Sequence, residues 1–144
     1  MTSHVLIPFD GSPAATNAID YAQERFSDVS FTLLYVMDPM MDYSRRRSFP
    51  GYREDDGFKN EREKGEALLE TGRRAVTEDV PVETELVAGN PARAILSFAD
   101  DNDVDQIVLG SHGRTGVARF LLGSVAETVV RRAAIPVTVV RPSE

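Results

Sequence analysis

The stretch at residues 104–124, VDQIVLGSHGRTGVARFLLGS, decides how this chain is interpreted. It begins with an apolar run at 104–109 that is typical of a buried strand. The loop that follows is marked by three glycines, Gly110, Gly113 and Gly123. Glycine lets the main chain approach another group closely because no Cβ intervenes. Ser124 then opens a segment with helical periodicity, so we predict a strand, a glycine-rich loop and a helix at 124–134.

The rest of the chain shows the same alternation of strand and helix patterns. Apolar runs predict strands at residues 5–9, 31–37 and 137–140, and an alternating segment predicts a further strand at 82–88. Helical spacing predicts three further helices, which begin at Ser12-Pro13, span 60–78 and begin at Asn90-Pro91. Five strands separated by four helices imply right-handed crossovers and a mostly parallel sheet that is covered on both faces. We therefore predict one doubly wound α/β domain over residues 1–144. Common five-stranded sheets of this kind reverse their winding beside strand one, and we take the order 3-2-1-4-5 as the working hypothesis.

Two of the helices begin with a capping side chain and a proline. Ser12-Pro13 and Asn90-Pro91 each place a good N-cap residue before a proline, which needs no amide donor at the first helical position. The segment from Ser124 to Glu127 has the pattern of a capping box, in which serine and glutamate satisfy each other's orphan amides. A purely structural role for the start of the last helix therefore stands beside a functional one.

The carboxyl ends of strands one and four mark the expected ligand site. Ligands of open parallel sheets bind where the winding order reverses, and the order 3-2-1-4-5 puts that reversal between these strands. Asp10 and Gly110 follow them directly. A glycine-rich loop that ends on a helix N-terminus suits a polyphosphate, because the first amides of a helix have no internal partners. Asp10 also has a local alternative, as a turn residue that caps nearby amides.

Composition excludes several classes of partner. The 144 residues carry a net charge of −7, with 23 acidic against 16 basic side chains, so we expect no nucleic-acid partner. No apolar run approaches the ~18 residues of a membrane span, and the N-terminus lacks a signal-peptide pattern. We therefore expect no membrane partner and a cytoplasmic location. The chain has no cysteine, which removes disulfides and thiolate chemistry.

The sequence lacks the residues that several known phosphate-binding and phosphate-transfer sites require. The Walker sequence is absent, and residues 110–125 contain no lysine, so the machinery of fast P-loop hydrolysis is missing. No G-x-G-x-x-G follows the first strand, which disfavours a dinucleotide site. A receiver domain would need a lysine after strand five, where this chain has Arg141-Pro142. The only other histidine besides His112 is His4, at the opposite end of strand one, so we predict no catalytic residue and no metal ligand from the protein itself.

The spacing Gly110-x2-Gly113-x9-Gly123-Ser124 resembles the ATP-binding motif of universal stress proteins, G-x2-G-x9-G-S/T. The resemblance covers nearly the whole chain. It includes the opening VLIPFDGS at 5–12 and the run GSHGRTGVARFLLGSVAETVVRRAAIPVTVVRP at 110–142. The chain is identified as a member of the ATP-binding subgroup of this family, the UspA family. This implies a Rossmann-like, five-stranded parallel sheet of order 3-2-1-4-5.

The resemblance also implies how ATP would be held. Asp10 would accept hydrogen bonds from the ribose hydroxyls, Pro8 would line the pocket nearby, and Val36 would offer its backbone to the adenine edge. The phosphates, with Mg²⁺ bound through them, would lie against the glycine motif and its neighbours: Gly110, His112, Gly113, Arg114, Gly123, Ser124 and Val125.

Three functional hypotheses stay open. The first is a binding module or switch that changes with nucleotide state in a stress response. The second is a slow ATPase or an enzyme that transfers phosphate to itself. The third is a protein interaction module whose nucleotide site is vestigial.

Two further features bear on partners and motion. The apolar strand at 137–140 lies at a predicted sheet edge, which proteins rarely leave uncovered, and the resemblance implies a homodimer that pairs this strand. The segment 38–58 is too long for a simple connection and contains three consecutive arginines, Arg45 to Arg47. These are either a solvated charge patch or part of a lid that reaches phosphate oxygens.

Overall fold

The computed structural model describes residues 2–38, 54–111 and 122–142, without the side chains of 54–59. Within these ranges, strands and helices alternate strictly. The strands are β1 (Ser3–Pro8), β2 (Val29–Met37), β3 (Val82–Ala88), β4 (Gln106–Gly110) and β5 (Val137–Val140). The helices are α1 (Pro13–Arg25), α2 (Glu54–Arg74), α3 (Pro91–Asp101) and α4 (Ser124–Arg132). None of these helices has both the length and the apolar character that a bilayer crossing requires.

The five strands form one parallel sheet in the order β3-β2-β1-β4-β5, which confirms the predicted order. β1 lies in the centre between β2 and β4, and β3 and β5 form the two edges. Successive residues of β1 point to opposite faces of the sheet. Val5 and Ile7 enter the apolar layer beneath α1 and α2, whereas Leu6 enters the layer beneath α3 and α4. The central strands are almost wholly apolar because helices cover both of their faces.

The predicted bounds of two helices are wrong by a few residues. α2 spans Glu54–Arg74 rather than 60–78. It ends early because the α-helical bonding gives way to a 3₁₀-type turn, in which the N–H of Ala75 donates to the C=O of Gly72 three residues before it (3.0 Å). α4 ends at Arg132 rather than at residue 134.

Helix α2 packs closely on the end of β2. A Cβ at Gly65 would lie 2.6 Å from the ring of Tyr35, so only glycine fits there without movement. Tyr35 is 1% exposed, and its hydroxyl donates a hydrogen bond to the carboxylate of Glu61. These contacts hold the backbone of β2 at the residue before Val36.

Candidate functional site

The carboxyl ends of the three central strands share one edge of the sheet. Pro8 ends β1 and Gly110 ends β4, while Val36 is the last residue but one of β2. Asp10 lies in the turn between β1 and α1, and it is half-buried like the other three. The strand order therefore brings together four of the predicted site residues at the reversal point of the sheet.

Asp10 is held by its own turn. Its Oδ1 accepts a hydrogen bond from the N–H of Ser12 (2.9 Å), so the predicted local role of this side chain is confirmed. The turn requires glycine at position 11, because Gly11 has a φ of 82° and a Cβ there would lie 2.7 Å from Leu68 Cδ2. A carboxylate has two oxygens that can each accept more than one bond. The turn thus positions Asp10 and leaves it further acceptor capacity.

The backbone of Val36 faces the gap beyond β1. The last bond between β1 and β2 runs from the N–H of Phe9 to the C=O of Leu34 (2.8 Å). Backbone groups along a strand alternate between its two neighbours, so Val36, two residues after Leu34, presents its N–H and C=O to the same side. Among the described residues these two groups have no hydrogen-bond partner. They form an open donor and acceptor pair at the crevice.

Ser111 connects the start of α4 to the carboxyl ends of the strands. The N–H of Ser111 donates to the C=O of Val140, the last residue of β5 (2.8 Å). Its C=O accepts from the N–H of Gly123 (2.7 Å), and Ser111 is only 2% exposed. These two bonds place the N-terminus of α4 beside the ends of β4 and β5.

The predicted capping box at the start of α4 is wrong. The C=O of Gly123 accepts the first intrahelical bond, from the N–H of Glu127 (3.0 Å), so Gly123 is the N-cap and Ser124 is the first helical residue. No side chain of the described residues caps this helix, and the carboxylate of Glu127 instead pairs with Arg131 at 2.6 Å. The amides of Ser124 and Val125, the latter half-buried, have no partner among the described residues. The helix therefore presents bare donors and the positive end of its dipole.

Gly110 has a packing role that its predicted role did not include. A Cβ at this position would lie 2.7 Å from the Cβ of Ala14 and 2.9 Å from its carbonyl carbon. Glycine is therefore required for α1 to begin against the end of β4.

Three of the predicted site residues, His112, Gly113 and Arg114, lie outside the described residues, and so does most of the predicted lid at 38–58. His4 lies at the opposite edge of the sheet, where its Nε2 is 2.7 Å from Thr32 Oγ1. One strand length, about 15 Å, separates it from the crevice. No group of three or more histidine or acidic side chains suited to a metal occurs among the described residues.

Ser111 was missed by reasoning from the sequence. Serine after a buried strand is common in turns and carries no signal of its own. Its small size and its place between Gly110 and the loop are visible in the sequence, but the two backbone bonds that make it important are not.

Comparison with known proteins gives a consistent result. The model of the "Universal stress protein family" matches residues 1–141. Universal stress protein MJ0531 of Methanocaldococcus jannaschii is 38% identical over 143 residues, which is 95% of this chain and 81% of that protein. The solved structure of the hypothetical protein MJ0577 superposes with a TM-score of 0.83 at 29% identity, and the match covers 100% of this chain and 99% of that one.

Two more distant structures share the fold alone and were solved with a nucleotide. One is a universal stress protein in complex with cAMP, with a TM-score of 0.60 at 23% identity over 99% of this chain and 98% of that one. The other is a family protein from Arabidopsis thaliana with AMP bound, with a TM-score of 0.67 at 20% identity over 98% of this chain and 92% of that one.

Proposed function

The chain belongs to the universal stress protein family, and on this premise we propose that it binds ATP and acts as a nucleotide-dependent switch or binding module in a stress response. The observation that carries the proposal is the start of α4, whose first amides are left without a side-chain cap at the reversal point of the sheet. Bare amides at a helix N-terminus bind anions.

Three groups at the crevice match the three parts of a nucleotide. The open N–H and C=O of Val36 suit the edge of an adenine, which offers both an acceptor and a donor. The carboxylate of Asp10 suits the two hydroxyls of a ribose, with Pro8 beside it. The amides of Ser124 and Val125 and the hydroxyl of Ser124 suit terminal phosphates. Phosphate contacts from Gly110, His112, Gly113 and Arg114 remain part of the proposal from the glycine motif.

The class of ligand is supported by likeness of fold. The two distant structures named above hold cAMP and AMP, both adenine nucleotides. Fold likeness alone does not carry function, so the argument rests on the groups at this crevice. ATP rather than a monophosphate is proposed because the motif offers backbone donors at both of its ends, near Gly110 and at the amides of Ser124 and Val125. Mg²⁺ would be held through the phosphates, since the backbone amides at the start of α4 donate to an anion and cannot ligate a metal.

The proposal includes a homodimer formed through β5 and a cytoplasmic setting. Every residue of β5 is half-buried, although the strand lies at a sheet edge, and three of its four residues are valine. An apolar edge of this kind is suited to pairing with a second copy. A chain without cysteine works without disulfides, which agrees with a reducing compartment.

The first test is to denature freshly purified protein, identify any released nucleotide by chromatography, and titrate Mg-ATP by calorimetry. Gly123→Asp would put a carboxylate where a phosphate is proposed to bind, and we expect it to weaken ATP binding about a hundredfold or more. Asn90→Asp is the matched control, because it adds the same charge at the N-cap of α3. It should bind like the wild type.

The outcomes separate the hypotheses. Equal binding by wild type and Gly123→Asp would reject the start of α4 as the phosphate site. Absence of any bound or titrating adenine nucleotide would reject the proposal and favour the interaction module. Phosphate release above background that disappears in Ser124→Ala would favour the slow enzyme instead.

A further inference from the structure

The outer backbone of β3 has no neighbouring strand in the part of the chain that the structure describes. Bonds from the N–H of Phe31 to the C=O of Pro81 and from the N–H of Gly89 to the C=O of Met37, each 2.9 Å, fix which residues face β2. Odd-numbered residues of this segment face β2, so the even-numbered ones face outward. Their N–H and C=O groups have no hydrogen-bond partner among the described residues. The outward-facing residues are Val82, Thr84, Leu86 and Ala88.

Two carboxylates stand on one face of this edge. Glu83 and Glu85 are two residues apart, so their side chains point to the same side of the sheet, and both are exposed. The ion pairs found among the described residues all lie within single helices. Glu83 and Glu85 therefore lack a cationic partner in the part of the chain that the structure describes.

The other face of β3 carries Val82 and Leu86 with exposed Thr84 between them. Val82 and Leu86 are half-buried and pack against the layer beneath α2. A strand added at this edge would meet this mainly apolar face on one side and two carboxylates on the other. Cross-strand pairs of opposite charge stabilise such an arrangement, whereas like charges directly opposite destabilise it.

The two edges of the sheet therefore select different partners. β5 is neutral and apolar, and a copy of itself can pair with it. β3 brings two carboxylates to any contact, so a second copy of β3 would place like charges opposite one another. Opposite charge on an added strand would therefore be favoured at β3.

We propose that β3 is a docking edge for an extended segment of a partner protein, with lysine or arginine at alternate positions and β-branched residues between them. The segment adds as a sixth strand, with main-chain bonds to the outward groups of β3 and ion pairs to Glu83 and Glu85. β3 is separated from β1 by β2, so this inference does not rest on nucleotide binding.

The probe is the acetylated and amidated peptide TKVKVKT, titrated into the full-length protein and followed by amide hydrogen exchange. We expect protection to rise at the outward amides of β3 and to stay constant at Glu83, Glu85 and Val87, which already face β2. The fully N-methylated peptide keeps the charge and cannot donate backbone bonds, so it should give no protection.

The charge contribution is tested with a pair of double variants. Glu83→Lys with Glu85→Lys should weaken peptide binding by at least about tenfold. Asp100→Lys with Asp101→Lys changes the net charge equally at the exposed end of α3 and should bind within about twofold of the wild type. Glu83→Gln with Glu85→Gln should lose an intermediate amount of peptide affinity. This neutral pair replaces the charge-reversed pair in the test if the latter folds poorly.

Three results would overturn the proposal. The first is that the amides of β3 gain no protection at about 1 mM peptide, a concentration that would populate even a very weak complex. That result would mean that the glutamates only prevent two copies of β3 from pairing. The second is equal binding of the N-methylated peptide. The third is an equal loss in the Asp100 and Asp101 variant, which would mean that the whole acidic surface attracts the peptide.

Discussion

The starts of α1 and α3 differ from the start of α4 in one respect. Ser12 accepts a bond from the N–H of Ala15 (3.1 Å), and Asn90 accepts one from the N–H of Arg93 (3.1 Å). Both caps precede a proline, which carries no amide donor. The start of α4 has neither a capping side chain nor a proline.

The same physical need is thus met in two ways. Orphan amides at the start of a helix must find acceptors, and α1 and α3 supply them from their own side chains. At α4 they have no side-chain acceptor among the described residues, and this is where we propose that a phosphate binds. Gly123 has φ −66° and ψ 160°, which any residue can adopt, so its backbone does not require glycine. Glycine here keeps the approach to the amides clear and gives up the stability of a cap.

The largest effect on stability is expected from a larger side chain at the contact between α1 and the end of β4. Gly110→Val would place its Cβ within 2.7 Å of Ala14, so α1 must move away from the sheet. Overpacking of this kind costs about 2 kcal/mol in the free energy of unfolding. Denaturant unfolding would measure it, with Thr84→Val on the exposed part of β3 as the control. An unchanged midpoint would show that α1 can shift without cost.

Removing the caps tests the comparison directly. Ser12→Ala should lower the free energy of unfolding by about 1 kcal/mol, because the buried Ala15 amide loses its acceptor. Ser124→Ala should change it by less than about 0.5 kcal/mol, because Ser124 is not the cap. Thermal unfolding of the two variants side by side decides the matter. Equal losses would restore the capping box at α4.

Adding a cap to α4 should move stability and binding in opposite directions. Gly123→Asp gives the helix a good N-cap and a favourable charge for its dipole, so it should raise the free energy of unfolding by about 0.5 kcal/mol. The same change is expected to weaken ATP binding strongly. Unfolding without nucleotide isolates the stability term. If Gly123→Asp lowered the free energy of unfolding instead, glycine at this position would be required by a steric or charge conflict within the protein itself, rather than by access for a ligand.

The smallest expected effect on the free energy of unfolding concerns the charges at the carboxyl ends of the helices. α1, α2 and α4 carry arginine in the last turn, whereas α3 has none and ends in Asp100-Asp101. Asp101→Arg should therefore stabilise by about 0.3 to 1 kcal/mol at low salt, and less at high salt. Asp20→Arg on the exposed side of α1 provides the control. A gain that is equal in both variants would reflect net charge alone.

The periodic parts of the fold were predictable from sequence, and the parts set by single hydrogen bonds were not. The bounds of β3 and β5 match the predictions because each is a short apolar or alternating run. β4 begins at Gln106 rather than 104, since the N–H of Asp105 bonds the C=O of His4 (2.8 Å) before the regular ladder starts. No pattern of side chains reports such a backbone bond.

The same limit applies to the candidate site. Pro8, Asp10, Val36 and Gly110 could be placed together because the carboxyl ends of parallel strands share one edge. The cap of α4 was misplaced by one residue because glycine and serine are both common N-caps. Only the bond from Glu127 N–H to Gly123 C=O distinguishes them.

The peptide unit of Ser111 has a consequence for how sequences of this kind can diverge. Because it joins Val140 on the outer strand to Gly123 at the head of α4, one residue belongs to two regions that would otherwise vary independently. If β5 serves assembly and the start of α4 serves ligand binding, as proposed above, a change that moves β5 is expected to be felt at α4 through these two bonds. Changes in assembly and in ligand preference would then accumulate together along a lineage, with Ser111 as the residue that couples them.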